Sequence, residues 1–437
     1  MEVKPFKAFR FNPDTVGDTG NCIAPPYDVI DSAKQAKLYE KSKYNIVRIT
    51  KAKQYPDDDA NNNQYTRAAD YLAEWLKTGA LKQDKTESMY GYVQNFSIAG
   101  LAYQRNSLIT LVKLEEFDKK IIRPHEQTLD KPKIDRLNLK RATGAKFGLV
   151  FMLYEDKQKI ADKIIDKAAT QEPLIDFVDE QNVWHRLFDI TATDDIGAIT
   201  EMMRDKSCVI ADGHHRYETG LQYAKENPNP AAAYQMMALA NTQHEGLIVL
   251  ATHRLVYNLS DFDAEKLIDN LQRDFQITQY SFDRSETKKQ ALAEMLSQMK
   301  TELADDKNAF GIYAGDGAFR VAVLKDIKVM DSLAPEKSDP WKALDVSVLH
   351  KLILQEYLGI DENRLASGDY VQYVKDTDTA IDDSIIQVDN GQKQAAFFMN
   401  PAKLQQIEDV TALGEKMPQK STYFYPKIYT GLTINKL

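Results

Sequence analysis

The stretch "CVIADGHHRYETG", Cys208 to Gly220, constrains the fold more than any other part of the chain. Its first residues are small and apolar and read as a short buried strand. Beyond Arg216 the period changes, and Tyr217, Leu221 and Ala224 fall on one face of a helix. Asp212 and Gly213 must therefore turn the chain between strand and helix. Aspartate is a favoured helix N-cap, and glycine permits a tight turn or close approach to a ligand. The unbonded N–H groups of a first helical turn, together with the helix dipole, attract anions. His214, His215 and Arg216 add donors at the same place, and a phosphate is the simplest occupant.

The remaining pattern is mixed. "YNIVRIT", "MYGYVQNF", "YQRNSLITLVKLEEF", "FGLVFMLYE", "LIDFVDE" and "VWHRLFDI" read as strands. "SIAGL" makes a hairpin of the second and third. "NNQYTRAADYLAEWLKTG" reads as a helix with Tyr65, Ala68, Leu72, Trp75 and Leu76 on one face and Gly79 as its stop. After "ENPNPAA", which has boundary composition, come strand candidates "MMALAN", "GLIVLATHRLVY", "AFGIYAG", "FRVAVL" and "AAFFMN". Helices are expected near 262–273, 286–303, 345–357 and 403–413. Strands in runs favour an α+β fold, with mixed sheets and flanking helices, over a doubly wound sheet. The expected domains are 1–225, holding the phosphate turn, and 226–437, a C-terminal α+β region.

Composition narrows the function. The net charge of −9 over 437 residues argues against a nucleic-acid partner held through phosphate contacts. No apolar run reaches the roughly 18–20 residues of a membrane span. The first residues lack the apolar core of a signal peptide, so the expected location is cytoplasmic, without membrane or nucleic-acid partners. Cys22 and Cys208 are the only cysteines and are expected as reduced thiols. Oligomeric state is not readable.

Other motifs carry chemistry. In "RPHEQTLDKPKIDRLNLKRAT", Arg123 to Thr143, the residues Pro124, His125, Glu126 and Thr128 are expected in a loop. A helix from Lys133 would then show Lys133, Arg136 and Lys140 as one basic stripe, which alone reads as a solvated face. The His-Glu pair is not a zinc-protease motif, because Leu129 stands where the second histidine would be. A carboxylate beside a histidine suits a general base near a phosphate. "MPQKSTYFYPKIYTGL" offers Lys420, Ser421, Thr422 and Lys427 as anion ligands. In "APPYDVI", Pro25-Pro26 fix an extended entry and Asp28 is placed to cap a helix. His253 and Arg254 sit in a strand pattern, where a histidine is usually structural, and His253 is kept as a candidate ligand residue.

"KPFKAFRF", "APPYDVI", "RPHEQT…KIDR", "IADGHHRYET", "THRLV" and "MPQKSTYFYPK…TGL" occur in the order of a bacterial and archaeal family, the domain of unknown function 1015 family. The resemblance runs from about Lys4 to Leu432. More distantly, "IADGHHRYE" is similar to the second box of the ParB/sulfiredoxin superfamily, whose turn binds nucleotide phosphates. One branch contains free-serine kinases with an Asp-Gly-His-His-Arg turn and a catalytic glutamate in a His-Glu pair. This resemblance implies a ParB/sulfiredoxin-like core with a long insertion, and makes Glu126 the base. It also implies a link to serine biosynthesis.

The expected activity is hydrolysis of O-phospho-L-serine. Glu126, His214 and His215 are the expected catalytic groups. Asp212, Gly213, Arg216, His125, Arg136, Lys420, Ser421, Thr422, Lys427 and His253 are the expected ligand-binding residues. The alternatives are a nucleotide-dependent serine kinase, a metal-dependent hydrolase using His125, His214, His215 and Asp212, and a non-enzymatic ParB-like binding module. The expected partner is a small phosphorylated amino acid or a nucleotide. The cofactor is left open, with Mg2+ compatible.

Overall fold

A computed structural model describes residues 1–126, 130–377 and 379–437. Thr128 and Leu129 of the second motif lie outside the described residues. The chain forms two compact units. The first holds Met1–Pro124, residues 130–248 and the tail Pro426–Leu437. The second holds His125 and Glu126 together with Val249–Tyr425.

The first unit is built on a nine-stranded mixed sheet. Its strands are β1 (Val3–Lys4), β2 (Met89–Ile98), β3 (Leu101–Lys113), β4 (Ile122–Pro124), β5 (Val150–Tyr154), β6 (Ile175–Val178), β7 (Trp184–Ile190), β8 (Cys208–Asp212) and β9 (Tyr234–Asn241). Their order is β4-β8-β5-β9-β3-β2-β7-β6, with β1 beside β3. β4 runs parallel to β8, and β5 parallel to β9; the other pairs are antiparallel. β2 and β3 join through Ala99 and Gly100 at φ 49° and 78°, the paired left-handed residues of a two-residue hairpin turn.

The helices of this unit include α1 (Gln64–Lys77), α2 (Asp130–Thr143), α3 (Ile160–Ala168), α4 (Thr193–Met203) and α5 (His214–Glu226). Ile165 and Ile199 bury against Val93, Val150, Met152 and Phe188 of the sheet. Of the face its period predicts, α1 buries Ala68, Leu72 and Trp75 and leaves Tyr65 and Leu76 half-buried, and Asn63 caps it.

The second unit has a six-stranded, wholly antiparallel sheet. Its strands are β10 (Thr252–Val256), β11 (Phe275–Ser281), β12 (Ala309–Tyr313), β13 (Ala318–Leu324), β14 (Val371–Lys375) and β15 (Ala395–Met399), in the order β11-β13-β12-β15-β10-β14. Its longer helices include α6 (Ala264–Asp274), α7 (Ser285–Ala304), α8 (Ala380–Asp389) and α9 (Leu404–Ala412). Met295 and Met299 of α7 pack on Phe319, Val321 and Phe398. Several sheets with flanking helices make the fold α+β.

Two local expectations change. "YNIVRIT" is not a strand: Val47–Thr50 is a short buried helix, entered through Asn45, whose side chain accepts the Val47 N–H. The β-branched residues are buried there without a neighbouring strand. Asp28 lies inside a tight turn, Tyr27–Val29, and Asp31 caps the helix that follows. The first unit continues to Ile248, and β9 pairs with both β3 and β5 of its sheet. The tail from Pro426 returns to that unit.

Among the described residues no helix is long and apolar enough to cross a membrane. Both cysteines are buried and free, and burial pushes the Cys22 and Cys208 thiols up to about 11 and about 12.

Candidate functional site

The strand-to-helix turn forms as its sequence predicts, with β8 ending at Asp212 and α5 beginning at His214. The cap differs. Gly213 stands at the N-cap position with φ 93°, and no side chain caps the helix. Asp212 is held instead by two cations. Lys427 Nζ lies 3.0 Å from its Oδ2, and Arg216 Nη2 lies 3.5 Å from its Oδ1. The three side chains are 17, 16 and 11 % exposed for Asp212, Lys427 and Arg216. Burial opposes ionisation of Asp212, but Lys427 and Arg216 overcome it and hold the carboxyl well below the usual carboxylate range.

Arg216 folds back over the turn. Its Nη1 donates to the Leu149 carbonyl, while its buried Nε has no hydrogen-bond partner among the described residues. A Cβ at position 213 would lie 2.8 Å from that Nε. Glycine is thus required both for the positive φ and for the arginine's path. His214 is buried at the start of α5, and His215 is half-buried with its carbonyl accepting from Thr219. Tyr217 anchors the helix through Glu115: its hydroxyl donates to the Glu115 carbonyl at 2.7 Å and accepts from the Glu115 N–H at 3.0 Å.

Lys427 arrives on the returning tail, and buried polar groups fix that tail. The carbonyl of Pro426 accepts from Arg105, and that of Lys427 accepts from Gln94 at 3.1 Å. Tyr429 donates to Asp179 at 3.0 Å, and His185 Nε2 lies 3.1 Å from the same carboxylate. Arg105 is fully buried, and burial lowers it to about 10. Sequence reasoning missed this group. Its signal was polar residues at inward positions of the strands "YVQNF" and "YQRNS".

Arg136 also differs from the expected solvated stripe. Its Nη1 donates to the Thr50 carbonyl at 2.7 Å, its Nε to Asp135 at 2.9 Å, and its guanidinium lies 4.2 Å from the Tyr27 ring centre. Lys133 pairs with Glu218 on α5 at 3.2 Å. Lys140 is buried and donates to Gln235 at 3.0 Å. α2 turns this basic face inward because it packs on α5.

Lys146, unremarked in the sequence, is buried beside it and donates to the Ala231 carbonyl and Asn435 Oδ1 at 3.1 and 3.2 Å. Burial, then repulsion from Lys140 and Lys4, lowers Lys146 to about 7 from 10.5. The unfolded chain therefore binds more protons than the folded one between those two values. Stability should rise with pH across that window, by at most about 1.4 kcal/mol per pH unit from this group. Lys146→Met should melt higher than the parent at neutral pH. The difference should be flat below the folded value and close as pH approaches about 10. Paired thermal melts across this range check it; a pH-independent difference would contradict the desolvated state of Lys146.

In the second unit the His-Glu and Lys-Ser-Thr motifs meet. The Met417 N–H donates to the His125 carbonyl at 2.8 Å, and Glu126 bridges Met417 in parallel register. Glu126 Oε1 accepts the Lys420 N–H at 3.1 Å, and His125 Nε2 lies 2.9 Å from Thr422 Oγ1. Lys420 has φ 58°, and its carbonyl accepts from the buried Arg254 at 3.0 Å. The Ser421 hydroxyl donates to the Pro418 carbonyl. His253 is a core residue of β10, its Nδ1 accepting the Met399 N–H at 3.1 Å and its ring set edge-on to Phe398.

The predicted residues thus fall into two groups. Asp212, Gly213, His214, His215, Arg216, Lys427 and Arg136 belong to the first unit; His125, Glu126, Lys420, Ser421, Thr422 and His253 belong to the second. The suggested metal set of His125, His214, His215 and Asp212 is divided between the two. Among the described residues no group of three or more His, Cys, Asp or Glu is placed to hold a metal ion.

A family profile described as "Protein of unknown function (DUF1015)" matches residues 3–347. The chain belongs to the DUF1015 family. No curated protein matches this DUF1015 chain. Among solved structures, a free serine kinase in complex with AMP is 11% identical, over 72% of this chain and 86% of that one, with a TM-score of 0.35. A conserved hypothetical protein from Pyrococcus furiosus is 12% identical over 75% and 94%, with a TM-score of 0.33. A C-terminally truncated SbnI from Staphylococcus aureus is 11% identical over 73% and 84%, with a TM-score of 0.32. Likeness at this level assigns no activity to the DUF1015 chain.

Proposed function

We propose that this protein is a phosphotransfer enzyme that makes or breaks the phosphate ester of serine, with the phosphate held at the Asp212–Arg216 turn. The observation that carries the reading is Arg216. It is largely buried at the start of α5, paired to Asp212, and keeps an unpartnered Nε. A phosphoryl oxygen would supply the missing acceptor, and the first-turn N–H groups and dipole of α5 would add to the attraction. Lys427 would stay on Asp212 and keep the turn's charge balanced.

The motif resemblance to free-serine kinases supports transfer to or from a nucleotide over simple hydrolysis. In that reaction the phosphorus–oxygen bond to serine breaks as one to the nucleotide's terminal phosphate forms, and the serine oxygen takes up a proton. The motif resemblance alone gives Glu126 the role of proton carrier, and positioning with charge neutralisation supplies the rest of the catalysis. A divalent cation such as Mg2+ is compatible with that chemistry.

The test is O-phospho-L-serine with the full chain, with and without ADP, following serine, phosphate and nucleotide products. Nucleotide-dependent turnover is expected. Phosphate release at an equal rate without nucleotide would make the protein a phosphoserine phosphatase, the reading first drawn from sequence. A folded protein inactive in both assays would leave a binding module. Arg216→Ala should weaken O-phosphoserine binding by about 10–100-fold, the scale of one lost charge-assisted hydrogen bond. Calorimetric titration measures it.

A further inference from the structure

The first unit contains a cleft where two of the expected site residues, Arg136 and Arg216, meet two lysines that were not expected in the site. It has about 520 Å³ of empty space, part of it open to solvent. Four of its lining side chains are cations: Arg136, Lys140, Lys146 and Arg216. Among the described residues that line it there is no aspartate or glutamate. We propose that this cleft is a second anion site, built for a diphosphate group, either free or carried by a nucleoside.

Three observations support it. First, Lys140 and Lys146 are 8 and 3 % exposed, and among the described residues their amino groups bond only neutral acceptors: Gln235, the Ala231 carbonyl and Asn435. Buried charges are ordinarily paired, and here an incoming anion would complete the pair. Second, the two ammonium groups repel each other, and burial lowers Lys140 to about 8. A ligand with two or more negative charges relieves that repulsion; a single carboxylate does so only in part. Third, Arg216 belongs to both places. Its Nη2 faces Asp212, while its Nη1 and Cδ approach Gly148 on the cleft wall. A Cβ at Gly148 would lie 3.3 Å from Nη1, so a side chain there would crowd the arginine. Arg136 and Arg216 each have a carboxylate outside the lining, Asp135 and Asp212, which leaves the two lysines without one among the described residues.

The site stands independently of the serine ester. A phosphate at the Asp212 turn needs the turn's own face of Arg216; the cleft needs the two lysines. Its test is calorimetric titration of the full chain with inorganic pyrophosphate, with ADP and with inorganic phosphate, on the parent, Lys146→Met and Lys140→Met. Pyrophosphate and ADP should both bind more tightly than phosphate. Each substitution should weaken both by tenfold or more, while O-phosphoserine affinity changes less than threefold. Equal affinity for pyrophosphate and ADP would assign the free diphosphate as sufficient; much tighter ADP would assign the nucleoside. Lys146→Met is expected to be more stable than the parent, so loss of folding does not confound it, and a thermal melt verifies each variant. No binding of pyrophosphate or ADP to the folded parent would overturn the proposal. So would binding that neither lysine substitution changes.

Discussion

Glu126→Gln should leave the fold intact and lower turnover by roughly 10²–10⁴-fold, the scale of a lost general base. The geometry makes this substitution clean. The Glu126 carboxylate accepts the Lys420 N–H through Oε1, and the backbone around it is fixed by the His125–Met417 hydrogen bond. A glutamine keeps an oxygen for the Lys420 N–H and loses only the ability to take a proton. Thr422 keeps its contact with His125, so the loop has no reason to move. Steady-state rates with O-phosphoserine and ADP, beside melting curves, measure both halves of the expectation. Full activity in a folded variant would remove Glu126 from the chemistry. Reduced affinity with unchanged turnover would recast it as a binding residue.

Asp212→Asn should cost about 3–5 kcal/mol of stability at neutral pH, the scale for stranding buried charges. Its carboxylate serves Lys427 and Arg216 together, and both would be left facing a neutral amide. The partial exposure of the three groups favours the lower end. Lys427→Met in the Asp212→Asn background should then cost little more, giving a coupling of about 1 kcal/mol or above in a double-mutant cycle. Denaturant unfolding of the four proteins provides the cycle; purely additive costs would contradict the pair. The pH dependence has a definite sign. The folded Asp212 is held below its unfolded value, so its contribution is present above about pH 4. It is lost as pH falls further, and parent and Asp212→Asn should converge in acid.

Much of the candidate site was legible in residue order, but not the partners of its charges. The Asp-Gly turn, the strand before it and the helix after it follow from spacing. The role of Asp212 does not. In a strand-to-helix turn an aspartate reads as a cap, and nothing nearby shows that its counter-charges include Lys427, 215 residues away. The same holds for Thr422 on His125, 297 residues apart. Lys140 shows the converse. On a helix drawn alone its stripe faces water; packed on α5 it faces a cleft. Arg105 and His185 were hidden because they sit in strands whose apolar alternation dominates the pattern, so their polar neighbours look incidental.

Sequence by itself determined the elements whose causes lie within a few residues. These are the hairpin at Ala99-Gly100, the capped amphipathic α1, the strand and helix flanking Asp212, and the glycine that the turn requires. Propensity, periodicity and positive φ are local energies, so local residues settle them. Tertiary structure decided that Tyr44–Thr50 carries a buried helical turn, that β9 joins the first sheet, and that the tail returns to neutralise Asp212. It also placed two lysines in a cleft with no carboxylate among the described residues that line it. Burial and charge pairing depend on which surfaces meet, and segments hundreds of residues apart set those surfaces through packing that no local window contains.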